Sequence, residues 1–185
     1  ERDLRHQMML ALDRHDRAEA QRIANQLPPG RNSLFARATL AAYDNNVLAM
    51  LQVLDESAAM FPDDTALLMQ KQACLAQLSR AGERLELLRG LATRPDAHPI
   101  FIRIYAEAMS ASAEDHETAL GYLKRYLRNV GVDAEGLRIM ANVVWSDQRS
   151  EDAAELYRLA ATSADTSEAL ASSYFIAAAL IGKSD

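Results

Sequence analysis

Residues 134–165 read AEGLRIMANVVWSDQRSEDAAELYRLAATSAD and carry the clearest structural pattern in the chain. Its first half places Leu137 and Ala141 four residues apart, on one face of an α-helix. Its second half repeats that spacing with Ala153 and Tyr157. A small residue on each helix lets the two helices approach closely, and the aromatic ring fills the wedge between them. The pattern predicts an antiparallel helix pair in which both alanines are buried.

The same pattern occurs one step earlier in the chain. Ile102 and Ala106 match the first helix, and Ala119 precedes Ala153 by 34 residues. This arrangement resembles the tetratricopeptide repeat family, whose members stack helix pairs with this period. The resemblance implies an all-α fold, a right-handed α-α superhelix in a single array over 1–185. Its approximate units are 1–30, 31–63, 64–99, 100–132, 133–166 and a half unit 167–185.

The rest of the 185-residue chain supports a helical fold. It contains only seven Gly and five Pro, and it lacks long β-branched or alternating runs, so a sizeable sheet is not expected. The third unit fits with a drifting register, through Met69, Ala73 and Ala76 and then Leu87 and Leu91. A non-repeat helical bundle or a related helical solenoid is the alternative fold. Apolar periodicity predicts eleven helices, near 2–14, 16–27, 32–43, 46–60, 63–79, 82–93, 97–111, 115–129, 134–147, 149–163 and 166–181.

Composition narrows the classes of function. A net charge of −6 argues against general binding to nucleic acid or anionic membranes, which attract basic surfaces. No apolar run approaches the roughly 18–20 residues that span a bilayer. The sequence has 17 Arg against 3 Lys, a bias that points to a GC-rich bacterial genome. We expect a soluble bacterial protein, and the choice between cytoplasm and periplasm stays open.

Residues suited to catalysis or metal binding are sparse. No two of the four histidines lie three or four residues apart, and the single cysteine excludes a multi-cysteine zinc site. His98 and His116 are placed in loops facing water, and Cys74 is placed in a helix as a buried structural thiol. No phosphate-binding loop or nucleophile motif occurs. We therefore predict no enzyme, no metal and no cofactor.

The resemblance also implies a binding surface, because first helices of such pairs line a concave groove that holds a peptide. Arg138 and Asn142 resemble half of the clamp that some members close on a peptide carboxylate; Arg103 lies on the wrong side to complete it. Trp145 has two interpretations, a peptide contact or a residue half-packed against the neighbouring unit. The predicted groove residues are Arg103, Glu107, Glu135, Arg138, Asn142 and Trp145.

These features predict a non-catalytic scaffold that binds a peptide or partner protein in its groove. The alternative is an accessory, substrate-recruiting segment of a larger bacterial enzyme or of an export or secretion machine. A third option is structural self-association. The segment near 166–181 has an apolar face that expects a partner helix, so we expect the native chain to continue beyond residue 185. Left open, this helix would promote weak self-association.

Overall fold

The computed structural model describes residues 2–163 together with Tyr174 and Ala177. Within these residues the chain is helical and contains no strand. A short 3-10 turn, Ala113–Asp115, precedes the eighth helix. The α-helices of this part of the chain are α1 (Arg2–Asp13), α2 (Arg17–Ala24), α3 (Arg31–Tyr43), α4 (Val47–Met60), α5 (Thr65–Gln77), α6 (Ala81–Ala92), α7 (Pro99–Met109), α8 (His116–Val130), α9 (Ala134–Ser146) and α10 (Ser150–Ala161).

The first ten predicted helices are confirmed, each within a few residues of its predicted bounds. Their first turns are fixed by side chains that accept hydrogen bonds from otherwise unpaired backbone N–H groups. Asp16, Asn46, Asp64 and Asp133 act in this way at the starts of α2, α4, α5 and α9. The predicted helix at 166–181, with the half unit 167–185, lies outside the described residues.

The chain divides into two compact units, Glu1–Arg84 and Leu85–Asp185. This division falls inside α6 and cuts the predicted unit 64–99. That the chain forms one continuous array over 1–185 stays a prediction.

The N-terminal unit (Glu1–Arg84) is built on the pairs α1/α2 and α3/α4, with α5 packed against α4. Small residues at the contacts let the helices approach closely. Ala11 and Ala20 are fully buried between α1 and α2, beside Met8, and Ala36 joins them from α3. The core of this unit therefore runs continuously from the first pair into the second.

The C-terminal unit (Leu85–Asp185) contains the pairs α7/α8 and α9/α10. Ala141 and Ala153 are fully buried, as the sequence predicts, and Tyr157 is buried beside them in the same cluster. Ala106 and Ala119 are equally inaccessible in the preceding pair. The small-residue contact is thus present in both pairs of this unit.

Four of the turns that join consecutive helices share one backbone conformation. In each, one residue adopts a positive φ, and two backbone hydrogen bonds close the end of the preceding helix in the same way. None of these residues is glycine, so the sequence gives little sign of the turn. The positive-φ residues are His15 (60°), Asn45 (52°), Ser79 (56°) and Gln148 (62°).

The predicted register of α5 is wrong by one residue, and on α6 the prediction is right for Leu91, which is buried, but not for Leu87. Ala76 is exposed, whereas Leu68 and Leu75 are buried, and Leu88 rather than Leu87 is fully buried on α6. Gln72 occupies the place that an alanine takes in the other pairs and accepts a 2.9 Å hydrogen bond from Nε of Arg84. The hydrogen-bonded side chains of Gln72 and Arg84 thus replace the small residues that the repeat pattern predicts at this contact.

The predicted environment of His116 is also wrong. His116 is the first residue of α8, and only 7% of its surface is exposed. Its Nδ1 lies 2.5 Å from Oδ1 of Asp147, and its Nε2 lies 3.0 Å from the carbonyl oxygen of Ser110. Hydrogen bonds to these two acceptors hold the ring inside the protein, whereas the sequence predicted that it lies in a loop facing water. His98, in contrast, is exposed and caps α7.

No helix in the described part of the chain combines the length and apolar character needed to cross a membrane.

Candidate functional site

The predicted groove residues lie on α7 and α9 of the C-terminal unit. Arg103 and Glu107 belong to α7, and the other four belong to α9. On α9 the residues Leu137 and Ala141 are buried, while Arg138 next to the first and Asn142 next to the second keep contact with solvent. We call Glu135, Arg138, Asn142 and Trp145 the α9 face.

Arg138 is the charged centre of this surface. It donates to both carboxylate oxygens of Glu135, at 2.8 Å from Nε and 2.6 Å from Nη2, and reaches Glu107 of α7 at 3.3 Å. These partners hold the pKa of Arg138 above its usual value, chiefly through the hydrogen bonds to Glu135, and the same contact lowers the pKa of Glu135. The structure therefore brings three of the six predicted residues together, in a cluster whose cation already has carboxylate partners.

Arg103 approaches the same cluster from α7. Its guanidinium carbon lies 5.9 Å from the centre of the Tyr126 ring, and its charge contributes to the lowered pKa of Glu135. Nε of Arg103 is buried without a hydrogen-bond partner. The aromatic face offers the cation an electrostatic contact.

Asn142 and Trp145 occupy the other end of the α9 face. The hydroxyl of Tyr157 donates a short hydrogen bond to Oδ1 of Asn142, so α10 fixes the orientation of this amide. Trp145 is half-buried and packs against the cluster that contains Ala141. The cluster consists mainly of residues of its own pair, α9/α10, so both interpretations of Trp145, a peptide contact and packing against a neighbouring unit, stay predictions.

The N-terminal unit holds a second polar surface, which the sequence analysis missed. Arg5 of α1 lies with its guanidinium carbon 4.1 Å from the centre of the Phe35 ring and donates a 3.3 Å hydrogen bond to Oδ1 of Asn32. A cavity of about 550 Å³ opens beside it, lined by Arg5, His6, Met9 and Asn32. We call this the α1–α3 site.

The sequence carries a signal for the α1–α3 site. Arg5 and Met9 stand one and five residues after Leu4, the same offsets at which Arg138 and Asn142 follow Leu137. Asn32 stands two residues before Leu34, as Glu135 stands two residues before Leu137. Applying these offsets to the helices that begin the predicted units 1–30 and 31–63 would have located these residues.

Within the described residues, no group of three or more His, Cys, Asp or Glu side chains is arranged to hold a metal ion. Cys74 is fully buried in α5, as predicted, and burial raises the pKa of its thiol. A thiol with a raised pKa and no access to solvent is a poor nucleophile.

The helix pairs, their buried small residues and their shared turns define a tetratricopeptide-like fold, and solved structures agree. PilF of Pseudomonas aeruginosa superposes with a TM-score of 0.70 at 14% identity, covering 98% of this chain and 84% of that one. MamA (residues 41 to the end) from Desulfovibrio magneticus RS-1 gives 0.66 at 15% identity, covering 81% and 84%. A kinesin light chain from Podospora anserina, described as having nearly identical TPR-like repeats, gives 0.58 at 12% identity, covering 86% and 92%.

At these identities the likeness establishes the all-helical, tetratricopeptide-like fold. Neither a protein-family model nor a curated protein sequence matches the chain.

Proposed function

We propose that this chain is a protein-interaction module that binds an extended peptide segment of a partner protein on the exposed faces of its first helices. The observation that carries the proposal is the division of α9 into two faces. Leu137 and Ala141 are buried in the pair, while Arg138, Asn142 and part of Trp145 remain at the surface. Partly exposed aromatic and arginine side chains held in fixed positions are the usual anchors of protein interfaces.

The fixed orientation of these side chains favours binding. Arg138 is held by Glu135 and Glu107, and Asn142 by Tyr157. A surface whose rotamers are already ordered loses less conformational entropy when a ligand binds. The α9 face therefore presents an ordered cation, an amide and an indole along one helix.

A library of random twelve-residue peptides displayed on phage, selected against the whole chain, tests this proposal. Hydrogen–deuterium exchange with a selected peptide should show added protection in the first helices, α1 and α3 or α7 and α9. A peptide that binds the α9 face should also change the fluorescence of Trp145, the only tryptophan in the chain.

A matched pair of variants sharpens the test for such a peptide. Replacing Arg138 and Asn142 by Ala should weaken its binding by roughly tenfold or more, as expected for interface anchors. Arg158→Ala is the control, because Arg158 pairs with Glu155 three residues earlier, as Arg138 does with Glu135, but lies exposed on α10. Failure to select any peptide, or protection confined to second helices such as α8 and α10, would contradict the proposal.

A further inference from the structure

The arginines of the two surfaces differ in their partners. Arg138 of the α9 face contacts two carboxylates, Glu135 and Glu107. Arg5 of the α1–α3 site has no carboxylate within 4 Å among the described residues; its contacts are the Asn32 amide oxygen and the Phe35 ring. Other arginines that have no carboxylate partner in this part of the chain, such as Arg84 and Arg125, donate to an amide or to backbone carbonyl oxygens. What distinguishes Arg5 is its place beside an open cavity.

Arg5 is nevertheless held in place. The guanidinium lies over the Phe35 ring, and Oδ1 of Asn32 accepts a hydrogen bond from one of its five N–H groups. The remaining donors have no protein acceptor in the described part of the chain, and the guanidinium borders the 550 Å³ cavity. A positioned cation with unused donors is suited to a carboxylate, which can accept two parallel hydrogen bonds from it.

Met9 supplies the apolar half of the site. It lies one helical turn after Arg5, and 41% of its surface is exposed. Residues four apart on a helix are separated by about 6 Å along its axis. In an extended peptide, side chains two residues apart point the same way and are separated by about 6.6 Å.

We propose that the α1–α3 site binds an internal segment of a partner protein that carries an acidic residue and an apolar residue two positions apart. The carboxylate pairs with Arg5, and the apolar side chain lies on Met9. This inference rests on the proposed function, because it assigns a peptide chemistry to one of the two surfaces. The α9 face, whose arginine already has acidic partners, does not select for acidic peptides.

The phage selection also tests this inference, because the sequences of the selected peptides can be compared for a shared motif. Displayed peptides are fused at their carboxyl end, so they offer side-chain carboxylates and no free chain end. We expect enrichment of Asp or Glu two positions from Leu, Ile, Met or Phe. An enriched peptide, synthesised with an amidated end, is then compared with its Glu→Gln version and with a version in which the two residues are adjacent.

The wild-type chain should bind the acidic peptide at least tenfold more tightly than either altered version. Arg5→Gln, which keeps an amide near Asn32 but removes the charge, should bind the Glu and Gln peptides alike. Met9→Ser, at an exposed position, should weaken binding without removing the preference for Glu. Arg14→Ala is the control, because it removes the same charge from an exposed arginine just after α1 and should change nothing.

Several outcomes would overturn the inference. These are a consensus without acidic residues, an Arg5→Gln variant that keeps the full preference for Glu, and a peptide that binds only with a free terminal carboxylate. If selected peptides bind through Arg138 and Asn142 and ignore Arg5, the inference fails while the proposed function stands. If no peptide binds either surface, both fail.

Discussion

Arg17 and His116 occupy equivalent positions in the two units. Each is the first residue of the second helix of its pair, α2 or α8, and each reaches a carboxylate just after the first helix of the following pair. Arg17 binds both oxygens of Asp44, at 2.9 Å from Nε and 2.8 Å from Nη2. His116 binds Asp147 at 2.5 Å. One position in the repeat thus links successive pairs in both units through different chemistry.

The two links differ in burial and in the permanence of their charge. About a third of the Arg17 side chain is exposed, against 9% for His116, which is also held by the carbonyl oxygen of Ser110. Arginine stays charged at all ordinary pH values, whereas histidine titrates near neutrality. The same position in a repeat can therefore keep its contact with the next pair while the strength of that contact becomes dependent on pH.

The largest expected effect is that of His116→Ala. The change removes two hydrogen bonds and leaves two acceptors without their donor, so the C-terminal unit should lose about 2–3 kcal/mol of unfolding free energy at pH 6. Urea unfolding followed by Trp145 fluorescence measures it, because the only tryptophan lies in that unit.

Arg17→Ala is the comparison for that experiment. Water screens the Arg17–Asp44 salt bridge, so its loss should cost the N-terminal unit clearly less, as followed by circular dichroism. Equal losses in the two variants would mean that burial does not distinguish the two links.

The second prediction concerns pH. Both ring nitrogens of His116 face acceptors, so the doubly protonated ring fits the site, and the hydrogen bond to Asp147 raises the pKa of His116. Asp115, at the start of the same helix, adds to this shift. A raised folded-state pKa means that the stabilisation is complete below the unfolded value near 6.5 and is lost as the pH rises through the folded value.

The stability difference between the wild type and His116→Ala should therefore shrink as the pH rises from 6 to 9, as measured by urea unfolding. The difference caused by Arg17→Ala should stay constant over that range. Arg17 lowers the pKa of Asp44, so that contribution is present above the unfolded value near 3.9 and is lost only as the pH falls through the lower folded value. An NMR titration that finds an unshifted His116 would contradict the prediction.

The third prediction tests the other contact between α8 and α9. A Cβ added at Gly136 would lie 2.8 Å from Cε1 of Tyr126, and the hydroxyl of that ring is held by Asp133 at 3.1 Å. Gly136→Ala should cost the C-terminal unit about 1–2 kcal/mol, after the gain in helix propensity offsets part of the overpacking. Thermal unfolding followed by Trp145 fluorescence measures this loss.

Gly121→Ala is the matched control, because a Cβ at that site on α8 meets nothing within 4 Å. It should stabilise the unit by about 0.5–1 kcal/mol through helix propensity alone. A stabilising Gly136→Ala would show that the Tyr126 ring moves aside freely.

The smallest expected effect is that of Arg17→His, which gives the N-terminal link the chemistry of the C-terminal one. At this position, where about a third of the side chain is exposed, a histidine should pair only weakly with Asp44, so we expect a slight loss of stability that grows between pH 6 and 8. Circular dichroism melts at the two pH values measure it. A dependence as steep as that of His116 would show that the position itself, and not its burial, sets the effect.

The helices and their small-residue contacts could be predicted because their signal is local. Ala141 and Ala153 each belong to a run with spacings of three and four residues, and that spacing places them on one face whatever the neighbours are. The structure confirms both as fully buried. The same method was wrong for Ala76, because Gln72 and Arg84 replace the small residues that mark the register elsewhere.

Local spacing is thus sufficient to predict the all-helical fold, the order of the helices and the buried alanines of the pair α9/α10. The environments of His116 and Arg5, in contrast, depend on contacts between helix pairs. Their partners Asp147 and Asn32 lie 31 and 27 residues away, on a neighbouring pair. Successive residues of an α-helix are rotated by about 100° about its axis. A shift of one residue in the packing of two helices therefore directs a side chain to a different neighbour. Which side chains meet between pairs therefore depends on the turns and on the packing of whole helices, which local spacing does not encode.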